Sequence, residues 1–153
     1  MFMYFYIFIF LHIFKKLYKH IQYINYMTTT IVSVPISIGE LCDKYTILQI
    51  KAEKITDIHK IHKIKNEIHY LKPLVEECNV SQDKLNVLKN INEKLWNIED
   101  NIRNKESQSI FDAEFIDLAR SVYITNDYRF ELKSSINECY NSDICEIKSY
   151  AKY

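Results

Sequence analysis

Acidic and basic side chains at helical spacing are the residues of this chain that could do chemistry. The charged candidates are Asp43, Lys44, Lys51, Glu99, Asp100, Arg120 and Asp127, and the backbone of Gly39 joins them as a candidate. If packed helices gather them, they could bind a small anionic ligand such as a nucleotide or a sugar phosphate, because arginine offers a planar bidentate donor. The same charges could instead close ion pairs that fix the helix register.

Gly39 is the only glycine of the chain and falls in the first turn of the first predicted helix. Backbone N–H groups at a helix N-terminus lack helical partners and favour anions. A phosphate or carboxylate that approaches the backbone closely would explain a glycine here. Tight packing against a neighbouring segment would explain it as well, and the sequence leaves both explanations open.

Metal and cofactor chemistry is not predicted. His59 and His62 lie one turn apart, but neighbouring lysines repel a cation, so a solvated helix face is expected. Acids at helical spacing can hold Mg²⁺ in all-α phosphohydrolases, yet Glu40, Asp43 and the pair at 99–100 form an incomplete set for such an enzyme. We therefore predict no catalytic residue, no metal and no cofactor.

The overall charge and the cysteines limit the partners and the compartment. The chain carries 20 Lys and Arg against 20 Asp and Glu, which argues against nucleic acid as a partner. Its four cysteines show no paired spacing and indicate reduced thiols. We therefore expect a cytoplasmic protein.

The elements that must position the charged residues are expected to be helices. One glycine and two prolines in 153 residues leave few turn signals, which favours long helices over short strands. Ser37 and Glu40 form the capping-box pattern that starts a helix. Pro73 should kink or end this helix near Lys72, because proline lacks the N–H group that the helix needs.

Two further helices are predicted downstream. Ser81 can cap the second, and Asp112 can open the third. An apolar residue recurs every three or four positions along the second, at Leu88, Ile91, Leu95, Ile98 and Ile102. Trp96 on the adjoining face is expected to be buried, and Thr125 and Arg129 give the third helix a polar centre. The fold class predicted is all-α, with long antiparallel helices in a three-helix, coiled-coil-like bundle.

The ends of the chain differ from this helical pattern. Residues 31–36 are rich in β-branched side chains, and we expect them to be extended and to pair with a second extended segment at 146–150. Residues 1–26 hold 10 of the 21 aromatic residues and no acid. We expect them to lie outside a single helical domain at 27–153, either as upstream sequence or as a membrane-surface anchor.

Four blocks of the sequence are similar to one known family. They are Ser37-Ile38-Gly39-Glu40-Leu41-x-Asp43-Lys44-x-Thr46-Ile47-Leu48-x-Ile50-Lys51, Asn92-Glu93-Lys94-Leu95-Trp96-x-Ile98-Glu99-Asp100, Leu118-Ala119-Arg120-Ser121-Val122-Tyr123-x-x-Asn126-Asp127 and Lys148-Ser149-Tyr150. In this order they resemble a family of small helical bacterial and viral proteins defined only as a domain of unknown function. The resemblance implies no activity. Since some members resemble neighbours of surface-polysaccharide genes, it implies a link with polysaccharide metabolism.

Three function classes follow from these observations. The leading hypothesis is a non-enzymatic interaction or scaffold module whose apolar stripes bind another helix, from a second copy in a homodimer or from a helical partner. The alternative is a binding protein for a small anionic ligand. An all-α Mg²⁺-dependent phosphohydrolase is a third and less favoured hypothesis.

Overall fold

The computed structural model describes residues 31–151, which form four α-helices. The helices are α1 (Ile38–Lys54), α2 (Ile58–Glu77), α3 (Gln82–Ser107) and α4 (Ala113–Cys139). No strand occurs in this part of the chain, which confirms the all-α prediction. Neither the segment at 31–36 nor the segment at 146–150 is a helix or a strand.

The structure has four helices where the sequence predicted three, because the first predicted helix is divided in two. α1 ends at Lys54, and the backbone of Ile55 is extended. Asp57 then caps α2, and its carboxylate accepts hydrogen bonds from the N–H groups of His59 and Lys60 at 2.9 and 3.0 Å. Asp57 is a strong N-cap and directly follows the β-branched pair Ile55-Thr56, which explains the division.

Pro73 lies inside α2, which continues to Glu77, so the helix does not end near Lys72 as one reading of the sequence predicted. Proline leaves the carbonyl group of His69 without its helical donor. Both residues lie on the exposed side of α2, where water can hydrogen-bond that carbonyl. The exposed position therefore explains why the helix tolerates proline.

The predicted helix starts at Ser37, Ser81 and Asp112 are confirmed. Each side chain accepts a hydrogen bond from the backbone N–H group three residues later, at 3.1, 3.5 and 2.9 Å respectively. The second half of the predicted capping box is not formed, because the Glu40 carboxylate bonds to Lys133 instead.

Helix α1 is the central element of the described bundle. It contacts each of the other three helices, whereas α2 contacts α1 alone. α3 and α4 are antiparallel, because the N–H group of Ser81 donates to the Tyr140 hydroxyl at 2.8 Å and so joins the start of α3 to the end of α4. The apolar core of the bundle contains residues of all four helices, namely Leu41, Cys42, Val75, Leu85, Leu88 and Ile136, together with Val80.

Trp96 is half-buried, so the prediction that it is buried between helices is wrong. Among the described helices only α1 and α4 contact α3, and they leave this side chain partly exposed.

No helix within residues 31–151 is both long and apolar enough to cross a membrane. A compact unit spans Pro35–Tyr153, and the predicted domain start at Met27 lies outside the described residues.

Candidate functional site

A buried polar layer joins α1, α3 and α4. The Nδ2 group of Asn92 donates to Oδ1 of Asp43 at 2.8 Å and to Oγ1 of Thr46 at 3.1 Å. Its Oδ1 atom accepts a hydrogen bond of 3.5 Å from the guanidinium group of Arg129. Asn92 therefore connects a buried carboxylate on α1 to an arginine on α4.

The sequence places these groups in the layer through ordinary helix periodicity. Asn92 follows Leu88 by four residues and precedes Leu95 by three, so its amide lies on the buried face of α3. Asp43 and Thr46 are three residues apart and share one face of α1. Buried polar groups need hydrogen-bond partners, so each of these helices constrains the position of the others.

Lys133 forms a second polar link between α1, α4 and the C-terminal segment, defined here as residues 146–151. The lysine is buried and pairs with Glu40 and, at 2.7 Å, with Glu146. Burial lowers the pKa of its ammonium group, but hydrogen bonds to Glu146 and Glu40 outweigh burial and hold that pKa above its ordinary value. The hydrogen bond from Lys133 lowers the pKa of the Glu146 carboxyl group.

Gly39 lies at a close approach of α1 and α4. Its N–H group donates to Oδ1 of Asn137 at 2.7 Å. A Cβ atom at this position would lie 2.7 Å from the backbone oxygen of Lys133 and 3.0 Å from Oδ1 of Asn137. Close packing is therefore enough to explain the glycine, because a methyl group here would displace α4.

A groove of about 1120 Å³ lies between the middle of α4, at residues 122–133, and the C-terminal segment. We call it the C-terminal groove. Its polar lining consists of Asn126, Asp127, Arg129, Glu131, Lys133, Glu146 and Lys148. Aromatic side chains also line it, namely Tyr123, Tyr128, Phe130 and Tyr150. A concave site with aromatic walls and a few polar groups is the usual form of a small-molecule site.

Lys148 holds the C-terminal segment against α4. Its Nζ atom lies 4.8 Å from the centre of the Phe130 ring and 5.8 Å from that of Tyr150, within the range of cation–π attraction. The same atom lies 4.0 Å from Oδ1 of Asp127 and donates to the backbone oxygen of Asn126 at 3.5 Å. These contacts give the groove a defined wall.

Arg129 differs from the two lysines of the groove. Glu40 and Glu146 oppose the charge of Lys133, and Asp127 lies beside Lys148. Within the described residues no carboxylate lies within 4 Å of the half-buried Arg129 guanidinium, and Asn92 is its only hydrogen-bond partner. A guanidinium group has five N–H donors, so most of its donor capacity is available to a ligand.

The residues predicted from the sequence are separated in the structure. Gly39 packs against α4, Asp43 accepts a hydrogen bond from Asn92 of α3, and Asp127 lines the C-terminal groove. The other five predicted residues lie elsewhere. Lys44 pairs with Glu67 at 2.7 Å, and Glu99 pairs with Arg103 at 2.8 Å. Lys51 is half-buried on α1, and Asp100 and Arg120 are exposed. Of the predicted set, only Asp43 reaches Arg129, and it does so through Asn92.

Several residues of the site lie outside the predicted candidate set, including Asn92, Lys133, Glu146 and Arg129, which the sequence analysis placed only in the polar centre of the third helix. Asn92 carries a signal, since an amide within an apolar stripe needs a partner. Lys133 lies four residues from both Arg129 and Asn137, so a polar stripe at helical spacing was present beside the apolar one. Glu146 carries no signal, because it lies outside any helix.

The cysteines and histidines show no second site in the described part of the chain. All four cysteines are free. Burial, followed by the nearby Cys78 and Asp43, raises the pKa of the Cys42 thiol to about 12, so this thiol stays protonated. His59 and His62 are exposed, as predicted. No group of three or more His, Cys, Asp or Glu residues within 31–151 is arranged to hold a metal ion.

Comparison with known proteins identifies a family but no relative of known function. A family model described as "Family of unknown function (DUF6165)" matches residues 32–153. No curated protein matches the chain. No solved structure matches it either.

Proposed function

The chain belongs to this family of unknown function, and we propose from its geometry that it binds a small anionic ligand in the C-terminal groove. The ligand carries a carboxylate or a phosphate group. Nucleotides and sugar phosphates both belong to this chemical class.

The observation that carries the proposal is the Arg129 guanidinium. It lines a groove large enough for a small molecule, and no carboxylate in the described part of the chain lies within 4 Å of it. A planar guanidinium group matches a carboxylate or phosphate through two parallel N–H···O bonds, and such charged hydrogen bonds are stronger than neutral ones. Arg129 is therefore the group that recognises the anion.

The buried polar layer supports this role by orienting the arginine. Asn92 accepts from Arg129, and Asp43 fixes the amide by accepting from its Nδ2 atom. A binding side chain held by hydrogen bonds loses less conformational freedom when the ligand arrives. Asp43 and Asn92 thus act as positioning residues and do not contact the ligand.

The rest of the groove suits the remainder of such a ligand. The rings of Phe130 and Tyr150 line its walls and offer apolar surface to a base or a sugar. We place this function in the cytoplasm, which is supported by four free cysteines.

The experiment that tests the proposal is thermal unfolding of the full chain with four probes: inorganic phosphate, citrate, glucose 1-phosphate and adenosine monophosphate. A ligand at 100 times its Kd raises the unfolding free energy by about 2.7 kcal/mol. We expect at least one probe to raise Tm for the wild type. The rise should be absent in Arg129→Gln and reduced in Arg129→Lys, because lysine keeps the charge but loses the bidentate geometry.

Arg103→Gln is the matched control, because Arg103 is exposed on α3 and pairs only with Glu99 in the described structure. This variant should keep the full rise in Tm. A wild-type Tm that none of the four probes raises would contradict the proposal. So would a rise that persists unchanged in Arg129→Gln.

The leading hypothesis from the sequence, an interaction module, remains a proposal that rests on a different surface. The phosphohydrolase hypothesis also remains a prediction. Its acids are distributed between separate contacts, since Glu40 pairs with Lys133 and Glu99 pairs with Arg103.

A further inference from the structure

The first half of α4 has an exposed outward face, defined here by Ile116, Ala119 and Arg120. These residues follow each other at helical spacing and all are exposed, with Ile116 at 56%. Thr125, on the opposite side of the same helix, is buried. The outward face therefore combines an isoleucine, a small residue and a charge on a surface that no described helix covers.

The charges beside this face have no partners within the described chain. Asp117 and Arg120 are three residues apart on the same edge of the face, and both are exposed. Neither forms an ion pair within 4 Å in the part that the structure describes, although charged neighbours elsewhere on the bundle do so, such as Arg103 with Glu99. Asp117 and Arg120 of one helix can therefore form ion pairs with Arg120 and Asp117 of a second copy of that helix.

The order of these two charges selects an antiparallel partner. When two copies of α4 pack antiparallel across a two-fold axis near Ala119, Arg120 of each copy meets Asp117 of the other. Parallel packing about a two-fold axis would instead place the edge that carries both charges on opposite sides of the interface in the two copies, where these pairs cannot form. A two-fold interface uses the same patch on both subunits, and this patch is complementary to its own inverted copy.

The residue at the axis suits close packing. Ala119 is small, so two helices can approach each other there at the usual interaxial distance of about 8–10 Å. Ile116 lies one turn away and would be removed from water on both sides of the axis. Large side chains that lose water at the centre of an interface supply most of its affinity.

We infer that the chain forms a homodimer through the outward faces of α4 in two antiparallel copies. The two-fold axis passes near Ala119, Ile116 is buried, and two Asp117–Arg120 pairs form between the copies. This inference does not depend on the proposed ligand, because Arg129 and the buried polar layer lie on another side of α4.

The first test measures the mass of the full chain by light scattering and sedimentation, where a dimer has twice the 18.4 kDa of one chain. Arg120→Asp and Asp117→Arg should each raise the dimer Kd about tenfold or more, because each places like charges opposite one another. Combining both substitutions in one chain should restore the wild-type Kd, since the pairs then form with reversed sign. Arg103→Asp, at an exposed position of α3, should leave the dimer Kd unchanged.

The second test locates the axis. In a chain that also carries Cys139→Ser and Cys145→Ser, Ala119→Cys should form a disulfide between copies on mild oxidation, because the two sulfur atoms meet across the axis. Asn101→Cys, exposed on α3, should not. Circular dichroism confirms that each variant folds.

Two results would overturn the inference. One is a wild-type chain that stays monomeric at about millimolar concentration. The other is a dimer that neither charge reversal weakens and that Ala119→Cys does not link, since another surface would then form it.

Discussion

Gly39 shows at the residue scale how packing and ligand binding can be distinguished. A glycine within a helix usually costs roughly 0.5–1 kcal/mol relative to alanine, so Gly→Ala normally stabilises. At Gly39 the added Cβ atom would lie 2.7 Å from the backbone oxygen of Lys133. We predict that Gly39→Ala lowers the free energy of unfolding by about 1–3 kcal/mol, the usual cost of overpacking. Urea unfolding measures the change.

The control for this prediction is Asn104→Ala, an exposed position on α3 where alanine should have little effect. An unfolding midpoint that rises in Gly39→Ala would show that α1 and α4 do not approach as closely as the structure indicates.

Asn92 carries the second prediction at this scale. It is 4% exposed, and Asn92→Leu would remove the amide that donates to the buried Asp43 carboxylate. Leaving a buried polar group without its partner costs about 1–3 kcal/mol, and more for a charged group. We therefore expect a loss of at least that size in urea unfolding, whereas Asn90→Leu at an exposed position of α3 should change stability little.

The Asn92 prediction also tests the positioning role of the buried layer. The substitution should weaken the binding of whichever probe Arg129 recognises, because the guanidinium loses its acceptor. Equal stabilities of Asn92→Leu and the wild type would mean that Asp43 has another donor.

At the element scale, local signals explain which parts of the fold were predictable. The caps at Ser37, Ser81 and Asp112 depend on residues within one helical turn, and all three are confirmed. The division between α1 and α2 was missed, although Asp57 has a residue type that caps helices. The apolar stripe continues through Ile55 and Ile58, and this periodicity concealed the break.

The C-terminal segment is the element whose attachment depends on pH. Lys133 donates to Glu146 and lowers the pKa of that carboxyl below its ordinary value of 4.5. A carboxyl with a lowered folded pKa contributes stability that is complete above its ordinary pKa and is lost as pH falls through the folded pKa. The attachment should therefore be intact at neutral pH and should weaken below about pH 4.5.

Glu146→Gln tests this prediction. The urea midpoint of the variant should lie below that of the wild type at pH 7, and the difference should shrink as the pH falls toward about 3. Glu138→Gln, an exposed residue near the end of α4, serves as the matched control. A difference between Glu146→Gln and the wild type that stays constant from pH 7 to pH 3 would mean that this ion pair does not hold the segment.

At the scale of the whole molecule, the site was less predictable than the helices. The sequence grouped Lys44, Arg120 and Glu99 because each is charged and lies on a predicted helix. Which charged residues meet depends on how α1 crosses α3 and α4, and that crossing is set by long-range contacts such as Gly39 against Asn137. The polar centre at Thr125 and Arg129 was predicted because it interrupts a stripe, and the structure confirms that Thr125 is buried and Arg129 half-buried.

Helix α4 has two distinct surfaces in this account. The side that carries Arg129 faces α1 and the C-terminal groove, while Ile116 and Ala119 face outward in the first half of the helix. The two hypotheses from the sequence, ligand binding and interaction with another helix, therefore use different faces of one element. Substitution of Arg129 should leave the dimer intact, and substitution of Arg120 should leave ligand binding intact.

The most direct measurement is nuclear magnetic resonance of the arginine side chains during titration of the full chain. The chain has only three arginines, Arg103, Arg120 and Arg129, so three Nε–Hε signals report on every guanidinium group. On titration with inorganic phosphate and with glucose 1-phosphate, the account predicts a saturable shift of the Arg129 signal, while the exposed Arg103 and Arg120 signals stay nearly unchanged. An Arg129 signal that does not move with either probe, or three signals that move together without saturation, would contradict the assignment of the C-terminal groove as an anion-binding site.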